Sequence, residues 1–396
     1  MVDEAALDAV AAAVDPDEVV RFAQTLIAAP SENPGGTEDE VAEIVEGLLV
    51  ALGATSRIVR GEAGRPSVVA RIGDGGHPRL AWNGHLDVVP VGDPETWDHP
   101  PFGAELVDGR LVGRGAVDMK GAVGAALAAV AAIGRSAVEL GGTLDLHLVA
   151  DEEMAGLNGT QVLLEQGLLD QDAAIVGEAT SLDLALAERG GAWVVATARG
   201  RAAHGSRPHL GVNAIATMSR FVLRIDEVLP DIEHPLAGRP TVNAATIEGG
   251  SAPNVVADRC VVDVDRRTIP GEDSHRAVLE PFERLAESIR AEHPEADLSF
   301  ELRLWLDAAE ADPASPIAEA CRVAVRSELG RAPADVGFTG ITDARFYLNE
   351  AKIPTVLLGP GSLGVAHTAN EWVEVDELVA AARVYARVFA EFLAPR

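Results

Sequence analysis

The chain has 396 residues, enough for two or three domains at roughly 100–200 residues each. With 47% apolar residues, 24% charged residues and two cysteines, it is neither a disordered tail, nor a collagen, nor a disulfide-held scaffold. Acids outnumber bases by 62 to 32, a net charge of −30 that repels phosphate backbones and anionic lipid, which excludes nucleic-acid binding and anionic membrane docking.

Helical periodicity runs over Asp17–Ala29 and Thr37–Leu52, the second opened by a Thr-Glu-Asp-Glu run that caps well and sets acids at the positive helix end. Ser67–Ile72 and Arg79–Trp82 read as strands, and Gly115–Ile133 as a loop entering an Ala-rich helix. Then come an apolar strand over Thr143–Ala150, a helix over Gly159–Gln166 and a strand over Ala173–Gly177. Apolar strands alternating with helices predict an α/β domain with a mostly parallel sheet flanked by helices.

The texture changes near Gly190. A strand (Trp193–Gly200), a helix (Asn213–Val228), two strands (Thr241–Glu248, Ala257–Arg266), a helix (Ser274–Glu292) and a strand (Leu298–Leu306) follow. This β-α-β-β-α-β order is the ferredoxin-like pattern of an inserted α+β unit. The alternating character then resumes with a helix from Pro316 to Leu329, a strand over Thr355–Leu358 and a helix over Val375–Leu393. The expected division is therefore 1–189 with 308–396 as one discontinuous domain, and 190–307 as the insert.

The chemistry gathers at strand ends, where open α/β sheets form their ligand crevices. His85 and Asp87 follow one strand, and glycines flank Asp118 at the mouth of a helix. Asp151, Glu152 and Glu153 follow another strand, where three adjacent acids repel one another unless a cation or a proton offsets the charge. Glu178 and His367 follow two more. Imidazole and carboxylate without thiolate is a donor set for Zn, Co or Mn, and five ligands are too many for one open tetrahedral site but suit two metals sharing one carboxylate.

This set and its order resemble the zinc-dependent family of acetylornithine deacetylase, succinyl-diaminopimelate desuccinylase, carboxypeptidase G and aminoacylase. The resemblance covers nearly the whole chain. It implies a dinuclear site with Asp118 bridging, His85 and Glu178 completing one metal, and Glu153 and His367 the other. It implies that Glu152 is the general base, that Asp87 orients His85, and that the Asp118–Met119 peptide is cis. In the insert, Ala203-His204-Gly205-Ser206-Arg207-Pro208 looks like the family's dimerisation motif, whose His reaches the partner's active site and polarises the substrate carbonyl. Asn254 and Arg267 match substrate-contacting residues, and a planar guanidinium suits a carboxylate. Thr342 and Arg345 lie in a segment that resembles the pocket lining, and Arg266 reads as a possible surface charge.

The resemblance thus implies a homodimeric hydrolase with two divalent ions per chain, zinc foremost with Co or Mn as alternatives, that cleaves the amide bond of an N-acyl amino acid. A carboxypeptidase or dipeptidase acting on short peptides shares these motifs. A single-metal aminopeptidase and a non-catalytic amino-acid binding protein are the more distant readings. No apolar run reaches the roughly 18 residues of a spanning helix. The acidic start Met1-Val2-Asp3-Glu4 lacks the basic region of a signal peptide, and Cys260 and Cys321 read as buried free thiols, so a cytoplasmic location is expected.

Overall fold

The computed structural model describes residues 3–61 and 64–395. The chain forms two compact units. One comprises the residues up to Leu186, Ala311–Val336 and the segment from Thr342 onward; the other comprises Ala187–Glu310 and Gly337–Ile341. The short segment 337–341 joins the second unit because the Arg189 N–H donates to the Phe338 carbonyl at 3.3 Å.

The large sheet of the first unit runs Thr55–Arg60, Pro66–Ile72, Thr143–Val149, Arg79–His85, Ala173–Val176, Thr355–Leu357, Leu184–Glu188. Its four middle strands are parallel, and its edges run antiparallel. Thr143–Val149, Arg79–His85 and Ala173–Val176 are buried at every position, as expected for parallel strands covered on both faces. That burial explains why they read as unbroken apolar runs.

Local chemistry sets the helix ends. Asp15 accepts the Asp17 N–H at 3.0 Å and Pro16 opens the helix Pro16–Ile27. Pro16–Ile27, the Ala-rich Lys120–Arg135 and Val375–Phe392 pack against one another. Small side chains permit that approach: a Cβ on Gly124 would lie 2.6 Å from the Ala23 backbone. Among the described residues, no helix is long and apolar enough to cross a membrane.

In the second unit four antiparallel strands run in the order Thr241–Gly249, Arg259–Thr268, Gly190–Arg199, Asp297–Leu306. Arg259–Thr268 alternates exposed or half-buried with buried residues, the period of a sheet with one covered face. The helices Ala214–Val222 and His275–Glu292 cover it, closing a core that includes Met218, Phe221, Val262 and Phe282. The helix expected as far as Val228 stops at Val222, and a 3₁₀ turn over Ile225–Val228 follows. Ile225 and Val228, three residues apart, are both buried, a spacing that the tighter turn brings onto one face.

Candidate metal centre

Because the middle strands are parallel, their C-terminal ends open on one edge of the sheet. His85 ends one strand opposite Val149. The Glu152–Met154 turn follows the second strand, Glu178 the third and His367 the fourth. Glycines make room beneath them. A Cβ on Gly177 would lie 2.3 Å from the Trp82 ring and one on Gly84 2.8 Å from it, so neither strand end admits a larger residue beside that indole.

Asp118 stands at the centre. Its Oδ1 is 2.9 Å from His85 Nε2, and its Oδ2 is 3.1 Å from His367 Nε2. Two groups of three able to hold a metal ion result. They are His85, Asp118 and Glu178, and Asp118, Glu153 and His367, with ligand atoms inside each group within 4.8 Å of one another. Glu178 Oε1 lies 3.7 Å from His85 Nε2, and Glu153 Oε2 3.1 Å from His367 Nε2. Glu152 lies beside the groups, its Oε2 4.0 Å from His85 Nε2. The Asp118–Met119 peptide is cis.

The electrostatics suit divalent cations. Burial, reinforced by the other carboxylates, pushes the carboxyls of Glu152 and Glu178 well above their usual range. Hydrogen bonds donated to the Asp118 and Glu153 carboxylates push His367 up to about 10. Burial opposes a charge on His85, yet Asp118, Glu152 and Glu178 hold its pKa well above the ordinary imidazole value. Four acids converge on two imidazoles in a low-dielectric site; the three glutamates and both imidazoles are pushed toward their protonated states, while Asp118 stays anionic between the two rings. Two divalent ions fit that excess.

The polar support differs from expectation. Asp87 does not reach His85 through its carboxylate: His85 Nδ1 is 2.8 Å from the Asp87 backbone oxygen and 3.6 Å from Oδ1. The Asp87 carboxylate instead accepts the backbone N–H groups of Glu152 and Glu153, each at 3.2 Å. Asn33 had no signal in the sequence beyond a Pro- and Gly-rich turn. Its buried amide donates to Asp87 Oδ2 at 2.8 Å and to Asp151 Oδ1 at 3.0 Å. Asp87 and Asn33 thus shape the turn that presents Glu152 and Glu153.

Of the residues expected to line a substrate pocket, Arg345 is buried and donates to the Thr342 and Ala155 carbonyls at 2.6 and 2.5 Å. Thr342 is buried and accepts the Ala344 N–H at 3.0 Å. Both therefore brace backbone here. In the second unit, exposed His204 accepts the Ser206 N–H on Nδ1 at 3.1 Å. A neutral ring accepting at Nδ1 carries its hydrogen on Nε2, so that atom is a donor. Val255 bridges the His204 backbone and holds the neighbouring Asn254 beside it. Arg267 is half-buried, with Nε 3.0 Å from Asp265. Arg266 is not a surface charge: it is buried and paired with Glu272.

A sheet with carboxylates and imidazoles converging at its parallel strand ends is the architecture of a metallohydrolase. The chain matches the profile of peptidase family M20/M25/M40 over residues 81–391 and belongs to that family. It is a metal-dependent hydrolase. It is 33% identical over 335 residues to acetylornithine deacetylase of Myxococcus xanthus, covering 81% of this chain and 82% of that one. It is 32% identical over 399 residues to succinyl-diaminopimelate desuccinylase of Rhodospirillum rubrum, covering 94% and 97%. In fold it is similar to an M20 family metallo-carboxypeptidase of Sulfolobus solfataricus, with a TM-score of 0.78 at 18% identity over 95% of this chain and 99% of that one.

Proposed function

We propose that this chain hydrolyses the amide bond of an N-acyl amino acid at a pair of divalent metal ions, zinc foremost, with cobalt or manganese as alternatives. The observation that carries the reading is Asp118, with one oxygen turned to each of the two three-residue groups. His85 and Glu178 would complete one site, Glu153 and His367 the other. When bound, the ions acidify water and polarise the scissile carbonyl.

The remaining steps belong to the protein. Glu152 takes the proton of the attacking water and returns it to the leaving amine. Burial raises its carboxyl well above the usual range, toward the operating pH that suits a general base. The partner subunit's His204 donates from Nε2–H to the carbonyl oxygen as negative charge develops there, the kind of aimed donor worth a few kcal/mol, on the order of 3. Arg267 and Asn254 hold the free carboxylate of the substrate. Asp87 and Asn33 keep Glu152 and Glu153 in place.

The edge strand Thr241–Gly249 supports assembly of two chains through the second unit, the unit that would serve as lid and dimerisation domain. It pairs on one side only, and Ile247 on it is 59% exposed. A closed two-fold pair is the commonest symmetric assembly. Two unpaired cysteines, both buried, support a reducing, cytoplasmic setting.

The two named relatives are deacylases, so the test is a panel of N-acetyl and N-succinyl amino acids and dipeptides, each with added zinc or cobalt. Release of the free amine from an N-acyl amino acid is expected. Cleavage of dipeptides alone would move the enzyme to the peptidases.

A further inference from the structure

Four residues beyond His367, Glu371 is completely buried. Its Oε1 accepts three backbone N–H groups, those of Gly115 and Val117 at 3.0 Å and of Asp118 at 3.2 Å. Its Oε2 accepts from Arg114 Nη1 at 2.5 Å. Every one of these partners is a donor, so four hydrogen bonds converge on the carboxyl group. The loop is turned to make this possible: Gly115 has φ +87°, a conformation side-chain-bearing residues rarely adopt. The Glu371 main chain takes part as well, because its carbonyl accepts the Gly113 N–H at 2.9 Å. Immediately after it, Trp372–Glu374 pairs antiparallel with Arg110–Val112, which fixes Glu371 from the other side.

Arg114 extends the clamp. It too is buried, its Nη1 reaching the Thr368 carbonyl at 3.2 Å and its Nη2 the Pro90 carbonyl at 3.4 Å. One buried ion pair therefore joins the backbone of Asp118, the residue next to His367, and the loop that follows Asp87. Removing one partner of such a pair leaves an uncompensated buried charge and several orphaned N–H groups.

We propose that Glu371 is a positioning residue of the metal centre, which fixes the Asp118 loop against the His367 loop so that the two oxygens of Asp118 address two ions at once. The proposal rests on the dinuclear reading above. Glu371 touches neither substrate nor the reacting atoms. It acts through the main chain of Asp118, where a carboxylate that must bridge two ions tolerates little rotation.

The test compares wild type, Glu371→Ala and Glu371→Gln. Zinc per chain and zinc affinity are measured by competition with a chromogenic chelator, alongside thermal unfolding in the presence of excess chelator. Wild type should bind two ions. The alanine variant should lose about 10–100-fold in affinity for at least one of them. Its kcat should fall while KM stays nearly unchanged, and excess zinc should recover part of the activity. Glutamine keeps one acceptor for the three N–H groups but turns an amide toward Arg114, so its loss should be smaller yet measurable, and it decides the matter if the alanine variant does not fold. Either folded variant holding two ions with wild-type affinity would overturn the proposal, even with a lowered unfolding temperature, since that would be a structural role only. Wild type that binds no zinc would instead defeat the dinuclear reading itself.

Discussion

Asp118 and Glu152 sit within one cluster of carboxylates, yet their surroundings set them apart. Hydrogen bonds to His85 and His367 hold Asp118 below the usual carboxylate range in spite of its burial. Glu152 lacks a close partner of that kind, and burial drives it upward. The two environments push the carboxyls in opposite directions, which is what the proposed mechanism asks of a bridging anion and of a proton carrier. Glu152→Ala should therefore lower kcat by about 10²–10⁴-fold while both metals remain bound. Metal analysis alongside steady-state kinetics checks this, and loss of an ion in the variant would make Glu152 a ligand instead. At this scale the two candidate three-residue groups are legible in the sequence, because their members are His and acids in loops that follow strands or, for Asp118, open a helix. Asn33 and Glu371 are not, since an amide in a turn and one acid among 62 gain meaning only when the fold brings distant loops together. Arg345 shows the converse: its sequence position suggests a pocket lining, and the fold gives its guanidinium two carbonyls to brace.

The strands of the large sheet announce themselves because burial on both faces leaves no polar alternation to blur them. Three short strands, Glu105–Val107, Arg110–Val112 and Trp372–Glu374, carry three residues each, too few for any period; the first two form a hairpin and the third joins it from a distant segment. The strand Thr143–Val149 also holds an ionisable core group. His147 is fully buried, with Nδ1 2.7 Å from the Tyr347 hydroxyl. Burial brings its pKa down to about 4, with Asp145 and Asp170 opposing and Arg79 and Arg71 assisting. Between about 4 and the ordinary value of 6.5, the unfolded chain binds a proton that the folded ring refuses. Stability should therefore fall as pH drops through that window, by about 2 kcal/mol from pH 7 to pH 5 for this one group. His147→Gln should remove that part of the slope. Urea unfolding of both proteins across the range measures it, and equal slopes would contradict the assignment.

Over the whole molecule, the charge of −30 has one local explanation: five acids, Asp87, Asp118, Glu152, Glu153 and Glu178, surround or support the metal centre, and two divalent ions would return about four positive charges. Other acids, such as Asp145, Glu272 and Glu371, are buried with partners, and for the exposed remainder the structure offers no specific purpose. The second unit is readable in the sequence from its strand and helix order, because one covered face imposes period-two alternation; the proposed pairing of two chains is not, because an exposed edge strand resembles any other strand until its pairing is known. Ile247→Lys should break a dimer built on that edge. Sedimentation should then show monomers whose activity is reduced by loss of the partner subunit's His204, whereas a fully active wild-type monomer would rule out action in trans.

The most direct measurement is a zinc titration of chelator-stripped protein, following bound metal and release of free amine from an N-acyl amino acid together. The two-metal account predicts that two ions bind per chain and that activity reaches its plateau only with the second. Full activity at one equivalent, or two bound ions with no amine released from any N-acyl amino acid, would contradict it.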